Sequence, residues 1–232
     1  NMPEDVQTVS VPATTTTGTP HEVIKGLTSV VMPVLLNDYS LFHYTGNALG
    51  AVKEHTNPEL TPYEIVLVDN GSSIKLPTPS QYGVHKYVRN EKNLGVTYAW
   101  NQGIRVSQGE YICLLNNDTM VFDHWIEDLQ DCLKYTDLVM ATPMYGEPFA
   151  RAHESAKKRE EAKKKMVGET LFDFKDFSCV MAKRSLFDEM GLFDEQFFMY
   201  ASDSDFMKRM EQKGRKYAST KLVPIFHIIG AT

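Results

Sequence analysis

Cysteine is scarce in this chain of 232 residues, with only three. Cys113, Cys132 and Cys179 are odd in number and lack CxxC spacing, which argues against a disulfide framework or a thiolate zinc site. They fit a reducing, cytoplasmic setting better. Long apolar runs are missing too. None approaches the ~18–20 residues of a membrane-spanning helix. Positive charge is not in excess, since 24 Lys and Arg face 30 Asp and Glu for a formal charge of −6. That balance speaks against nucleic-acid binding by broad phosphate neutralisation. There is no GxxxxGK[ST] loop and no GxGxxG after the first expected strand, so P-loop and Rossmann dinucleotide readings have no support. No segment repeats another.

What is present is the composition of a soluble globular domain, with 42% hydrophobic and 23% charged residues. Residues 1–26, with SVPATTTTGTP at their centre, have no apolar period and read as a flexible tail. Residues 27–232 read as one domain, whose more regular first half runs to about residue 136. Short β-branched runs at LTSVVMPVLL, EIVLV, HKYVRN and EYICLL predict buried strands. Helical patterns fall between them at Tyr39 to Glu54, Val96 to Ser107 and Trp125 to Lys134. Strands apolar on both faces and alternating with helices predict an α/β fold with a mostly parallel sheet. The second half is less regular. FSCVMAKRSLFDEMG predicts a strand and a short helix, the segment after FFMY a further helix, and KLVPIFHIIGAT a closing strand.

Ligands of parallel α/β sheets bind at the carboxyl ends of strands. Three polar clusters fall there: Pro33-Val34, Asp69-Asn70-Gly71-Ser72 and Asn116-Asn117-Asp118. Each alone reads equally as a turn or helix cap, but three together point to a shared site. A carboxylate directly after an apolar strand needs a hydrogen bond, an ion pair or a cation. A diphosphate bound without a glycine-rich loop calls for a hard divalent cation. Asp118 offers an oxygen ligand, and His227 is either a nitrogen ligand or a core histidine.

The series SVVMPV, EIVLVDNGS, NEKNLGVTYAWNQGI, GEYICLLNNDT and GLFDEQFFMYASDSDFMKRM, in this order from Leu27 to Gly230, resembles glycosyltransferase family 2. That family has the GT-A fold, and the likeness is greatest to its rhamnosyltransferase-like branch. The resemblance implies an inverting, metal-dependent transfer of sugar from a UDP- or dTDP-sugar to an acceptor hydroxyl, such as that of a glycan. It places nucleotide binding in the first half and acceptor binding and catalysis in the second. It implies that Asp118 and His227 hold Mn2+ or Mg2+, and that Asn116, beside Asn117, takes the place of the metal motif's first acid. It further implies that Asp69 hydrogen-bonds a pyrimidine, that Pro33, Val34 and Leu35 line the base pocket, and that Asn93 and Gly95 close the donor site. Asp203 falls at the position of the catalytic base, whereas Ser202 replaces the family's usual neighbouring Glu. By position alone Asp203 reads equally as a helix cap, and Asp205 is the fallback base.

Two rivals stand beside this reading. A sugar-nucleotide pyrophosphorylase needs a Gly-rich basic loop where this chain has PVLLNDYS. A non-catalytic binding module that kept the fold has only Ser202 in its favour. The basic run Lys157 to Lys165 reads as a solvated helix or loop, or as a flap (Ala152 to Gly168) that closes over an anionic ligand.

Overall fold

Alternation along three central strands divides the core into two faces. In β2 (Ile24–Val34), Val30, Met32 and Val34 point to one side and Val31 to the other. In β3 (Tyr63–Asp69), Ile65 and Leu67 oppose Val66 and Val68; in β5 (Gly109–Leu115), Cys113 and Leu115 oppose Ile112 and Leu114. The first face packs on α1 (Tyr39–Glu54) through Leu49 and Val52, and on α3 (Trp125–Tyr135) through Trp125, Ile126 and Leu129. The second packs on α2 (Val96–Val106), α4 (Arg184–Met190) and α5 (Ser202–Gln212), through Trp100, Ile104, Phe187 and Phe206. These layers are seen in the computed structural model, which describes residues 6–8, 22–145, 171–172 and 177–228.

Among those residues the sheet has ten strands, completed by β1 (Gln7–Thr8), β4 (Lys86–Arg89), β6 (Thr119–Met120), β7 (Leu138–Tyr145), β8 (Leu171–Phe172), β9 (Cys179–Lys183) and β10 (Lys216–His227). The order is β1-β4-β3-β2-β5-β9-β7-β10-β6, with β8 paired to β10. The run from β1 to β5 is parallel throughout. β9 lies antiparallel between β5 and β7, and β10 returns parallel to β7. The sheet is thus mostly parallel, as its apolar strands predict.

Helix α1 has the predicted bounds because Asp38 caps it: its Oδ1 accepts a hydrogen bond from the Leu41 amide at 2.9 Å. Gly103 sets how closely α2 lies on the sheet. A Cβ there would fall 2.2 Å from Cγ1 of Val31, so only glycine permits this approach.

The expected tail differs in two places. Gln7 and Thr8 pair with Lys86 and Tyr87, and β2 begins at Ile24 rather than Leu27. A two-residue edge strand has no period to recognise, and Ile24 lies exposed at the strand's start. Strand β7 was not anticipated, because Pro143 interrupts its apolar run and proline weakens any strand signal. The proposed flap, Ala152 to Gly168, lies outside the described residues.

Candidate active site

Register brings the three polar clusters together. Val34 pairs with Asp69 across β2 and β3, and Val31 pairs with Leu114 across β2 and β5, so these strands end side by side. A cleft of about 410 Å3 opens at that edge. Pro33, Val34, Leu35, Asn93, Asn116, Asn117 and His227 all line it. Asp69, Gly95, Asp118 and Asp203 are not among the residues that line it. Asn70, which belongs to one of the strand-end clusters, also lines it, as do Trp100, Phe177, Met199 and Tyr200.

Asp118 and His227 meet through antiparallel pairing. His227 in β10 lies opposite Thr119 in β6, and the Ile228 amide donates to the Asp118 carbonyl at 3.1 Å. Nε2 of His227 comes within 3.2 Å of Asp118 Oδ1. The Asp118 side chain is fully buried, yet neither carboxylate oxygen has a partner that meets hydrogen-bond geometry. His227 is therefore its ionic partner rather than a hydrogen-bond donor, and a buried carboxylate is costly unless it is well paired. A carboxylate oxygen and an imidazole nitrogen suit a divalent cation. Among the described residues no third His, Cys, Asp or Glu completes a cluster.

Asp69 is buried and heavily engaged. Its Oδ1 accepts from the Ser72 amide at 2.9 Å; its Oδ2 accepts from the Tyr87 hydroxyl at 2.6 Å and from Arg89 Nη1. Arg89 also donates to the Ser72 carbonyl at 2.8 Å, and Ser72 Oγ accepts from the Leu36 amide at 2.7 Å. The cluster therefore fixes the backbone next to Pro33, Val34 and Leu35. Asp69 anchors the cleft wall from behind.

A second network was hidden from sequence. Asn70 Nδ2 donates to Asn93 Oδ1 at 2.9 Å and to the Gly95 carbonyl at 3.1 Å, while its Oδ1 accepts from Asn90 Nδ2 and the Leu94 amide. Asn90 in turn exchanges two hydrogen bonds with Gln102 of α2. Buried amides saturated in this way rigidify a site. Asn93 and Gly95 are thus held as one unit with the end of β3. Asn117 is likewise tied inward, donating to Thr45 Oγ1 of α1 at 2.9 Å.

The two candidate bases separate cleanly. Asp205 is paired with Arg209 at 2.9 Å, and Arg209 also donates to the carbonyls of Met190 and Leu192 and stacks over Phe206. It braces the fold. Asp203 is half-buried and, among the described residues, bonds only to Ser204 through Oδ1, which leaves Oδ2 open. The preceding Ala201 caps α5 at φ 70, a left-handed conformation rare outside glycine, and strained caps of this kind cluster at functional sites. Ser202 is buried with its hydroxyl unbonded, and so is the Trp100 indole nitrogen in the cleft wall.

Comparison with known proteins agrees with this geometry. The family model of glycosyl transferase family 2 matches residues 29–191. The poly(ribitol-phosphate) β-N-acetylglucosaminyltransferase TarP of Staphylococcus aureus is 24% identical over 194 residues, covering 82% of this chain and 59% of that protein. The fragment 1–349 of S. aureus TarS matches with a TM-score of 0.63 and 15% identity, over 85% of this chain and 59% of that one. The same fragment in complex with UDP-GlcNAc gives a TM-score of 0.63 at 15% identity, over 85% and 57% of the two chains. This chain therefore spans about three-fifths of TarP and of the TarS fragment. A match over most of the domain, on a mixed α/β fold of the GT-A type with its polar clusters at the strand ends, means that the chain belongs to glycosyltransferase family 2.

Proposed function

We propose that this domain is a metal-dependent, inverting glycosyltransferase that moves a sugar from a nucleoside-diphosphate donor to an acceptor hydroxyl. The observation that carries the reading is the buried Asp118 carboxylate facing His227 at the rim of the cleft. UDP-GlcNAc is the first donor to try, since TarS has been solved with UDP and with UDP-GlcNAc; a dTDP-sugar presents the same pyrimidine edge. The acceptor in TarP's name is not carried over, because this chain spans only 59% of that protein.

Asp118 and His227 would hold Mn2+ or Mg2+, which supplies neutralising charge to the departing diphosphate. Pro33, Val34 and Leu35 pack against the base, in a wall braced from behind by Asp69. Asn93 and Asn116 face the donor across the cleft. Asp203 takes the proton of the acceptor hydroxyl as its oxygen bonds to the anomeric carbon. The bond from that carbon to the diphosphate oxygen breaks on the opposite face, and inversion follows. Positive charge that builds on the sugar ring is the usual character of such transition states.

Calorimetric titration with UDP tests the metal assignment. Affinity should be markedly higher in Mn2+ than in EDTA for the wild type, and Asp118→Asn should abolish that difference while keeping the fold. Equal UDP affinity with and without metal would contradict the reading.

A further inference from the structure

Beside the donor cleft, Phe198, Met199 and Tyr200 are 53%, 48% and 83% exposed. They form the longest consecutive run of exposed large hydrophobic residues among those described. Exposed apolar surface gathered in one place marks a binding surface, whereas single exposed residues need no explanation. Met199 and Tyr200 line the cleft mouth, three or four residues before Asp203.

This rim is held rigidly. Upstream, Phe193 is buried, its amide and carbonyl both bonded to the Asn101 side chain of α2. Downstream, Phe206 is fully buried, with its ring centroid 4.5 Å from that of Phe193. Between them, a Cβ on Gly95 would lie 2.4 Å from the Phe198 carbonyl oxygen, so the rim rests directly on the loop that closes the donor site. Ala201, at φ 70, then turns the chain into α5. The rim is clamped at both ends while its side chains stay in solvent.

Of the four carboxylates between Gly191 and Met207, Glu195 is paired with Arg105 and Asp205 with Arg209, while Asp194 and Asp203 have no cationic partner among the described residues, so the segment keeps a local negative excess. Such a segment repels a polyanion and leaves neutral ligands unaffected. An exposed aromatic face flanked by a thioether suits the C–H face of a sugar ring, and the nearby carboxylate suits a ring hydroxyl.

We propose that Phe198, Met199 and Tyr200 form the acceptor subsite, and that its occupant is a neutral pyranose-containing glycan, stacked on Tyr200 with a hydroxyl presented to Asp203. The proposal rests on the transferase reading of the cleft. It sets the acceptor apart from polyol phosphates, which are acyclic and carry a negative charge in every repeat.

Binding to the UDP- and Mn2+-loaded protein tests it without requiring turnover. Saturation-transfer NMR would be run with chitotetraose, cellotetraose and maltotetraose, and in parallel with poly(ribitol phosphate). At least one neutral oligosaccharide should bind, and Tyr200→Ala should weaken it about tenfold, the upper range for one aromatic contact. Tyr200→Phe should retain most of that affinity, and Tyr135→Ala, at an exposed tyrosine of α3, should leave it unchanged. The proposal is overturned if poly(ribitol phosphate) binds while the neutral sugars do not, if nothing binds, or if Tyr200→Ala has no effect. Loss of the underlying transferase reading would show separately, as failure of UDP itself to bind.

Discussion

Tyr87 shows how one side chain couples the cleft wall to pH. Burial, and then the hydrogen bond its hydroxyl donates to Asp69, push its pKa up to about 12. The folded protein thus holds this proton more tightly than the unfolded chain, where tyrosine titrates near ~10. The stability it contributes is complete below about pH 10 and is lost as the pH rises toward about 12. Urea unfolding should therefore show a smaller loss between about pH 9 and about pH 11.5 in Tyr87→Phe than in the wild type. An equal loss in both would mean that the alkaline sensitivity lies elsewhere. The same cluster shows the limit of reading residues one at a time. Asp69 was recognisable from its place after EIVLV, but its bonds to Tyr87, Arg89 and Ser72 depend on β3 and β4 lying side by side. Asp203 and Asp205 both lie in the first turn of α5, and Arg209 occupies the second of them, a pairing the sequence alone did not give.

At the scale of the element, α2 organises the site. Gln102 holds the amide network of the donor wall, Asn101 holds the loop before the aromatic rim, and Gly103 sets the height of the helix over β2. Gly103→Ala would drive a methyl group into Val31, and overpacking of this kind costs about 1–3 kcal/mol. A lower urea midpoint should result, with weaker UDP binding because the Asn93 and Gly95 loop moves with the helix. A variant as stable as the wild type would show that α2 can lift freely. The helix itself was readable from its apolar period, as were α1, α3 and the strands rich in Val, Ile and Leu. Strands β1, β6 and β7 were not. Two of them are two residues long and the third contains Pro143, so no local pattern distinguishes them from turns.

At the scale of the whole molecule, the candidate site draws on both halves of the chain. His227 reaches Asp118 only because β10 returns along β7 and then pairs antiparallel with β6. The motif LLNNDT marks in the sequence the strand end that meets His227 in the fold. The amide network and the exposure of the aromatic run were not readable, because exposure and hydrogen-bond partners are properties of the assembled fold. We propose that the assembled cleft transfers sugar with Asp203 as the base. The most direct test is single-turnover transfer from UDP-GlcNAc in Mn2+ to the oligosaccharide that binds best, comparing wild type, Asp203→Asn and Asp205→Asn at matched UDP occupancy. General-base catalysis is typically worth ~10²–10⁴ in rate, so Asp203→Asn should slow transfer by that factor with UDP affinity retained, and Asp205→Asn should change it little. Wild-type transfer by Asp203→Asn, with the loss falling on Asp205→Asn, would contradict the account.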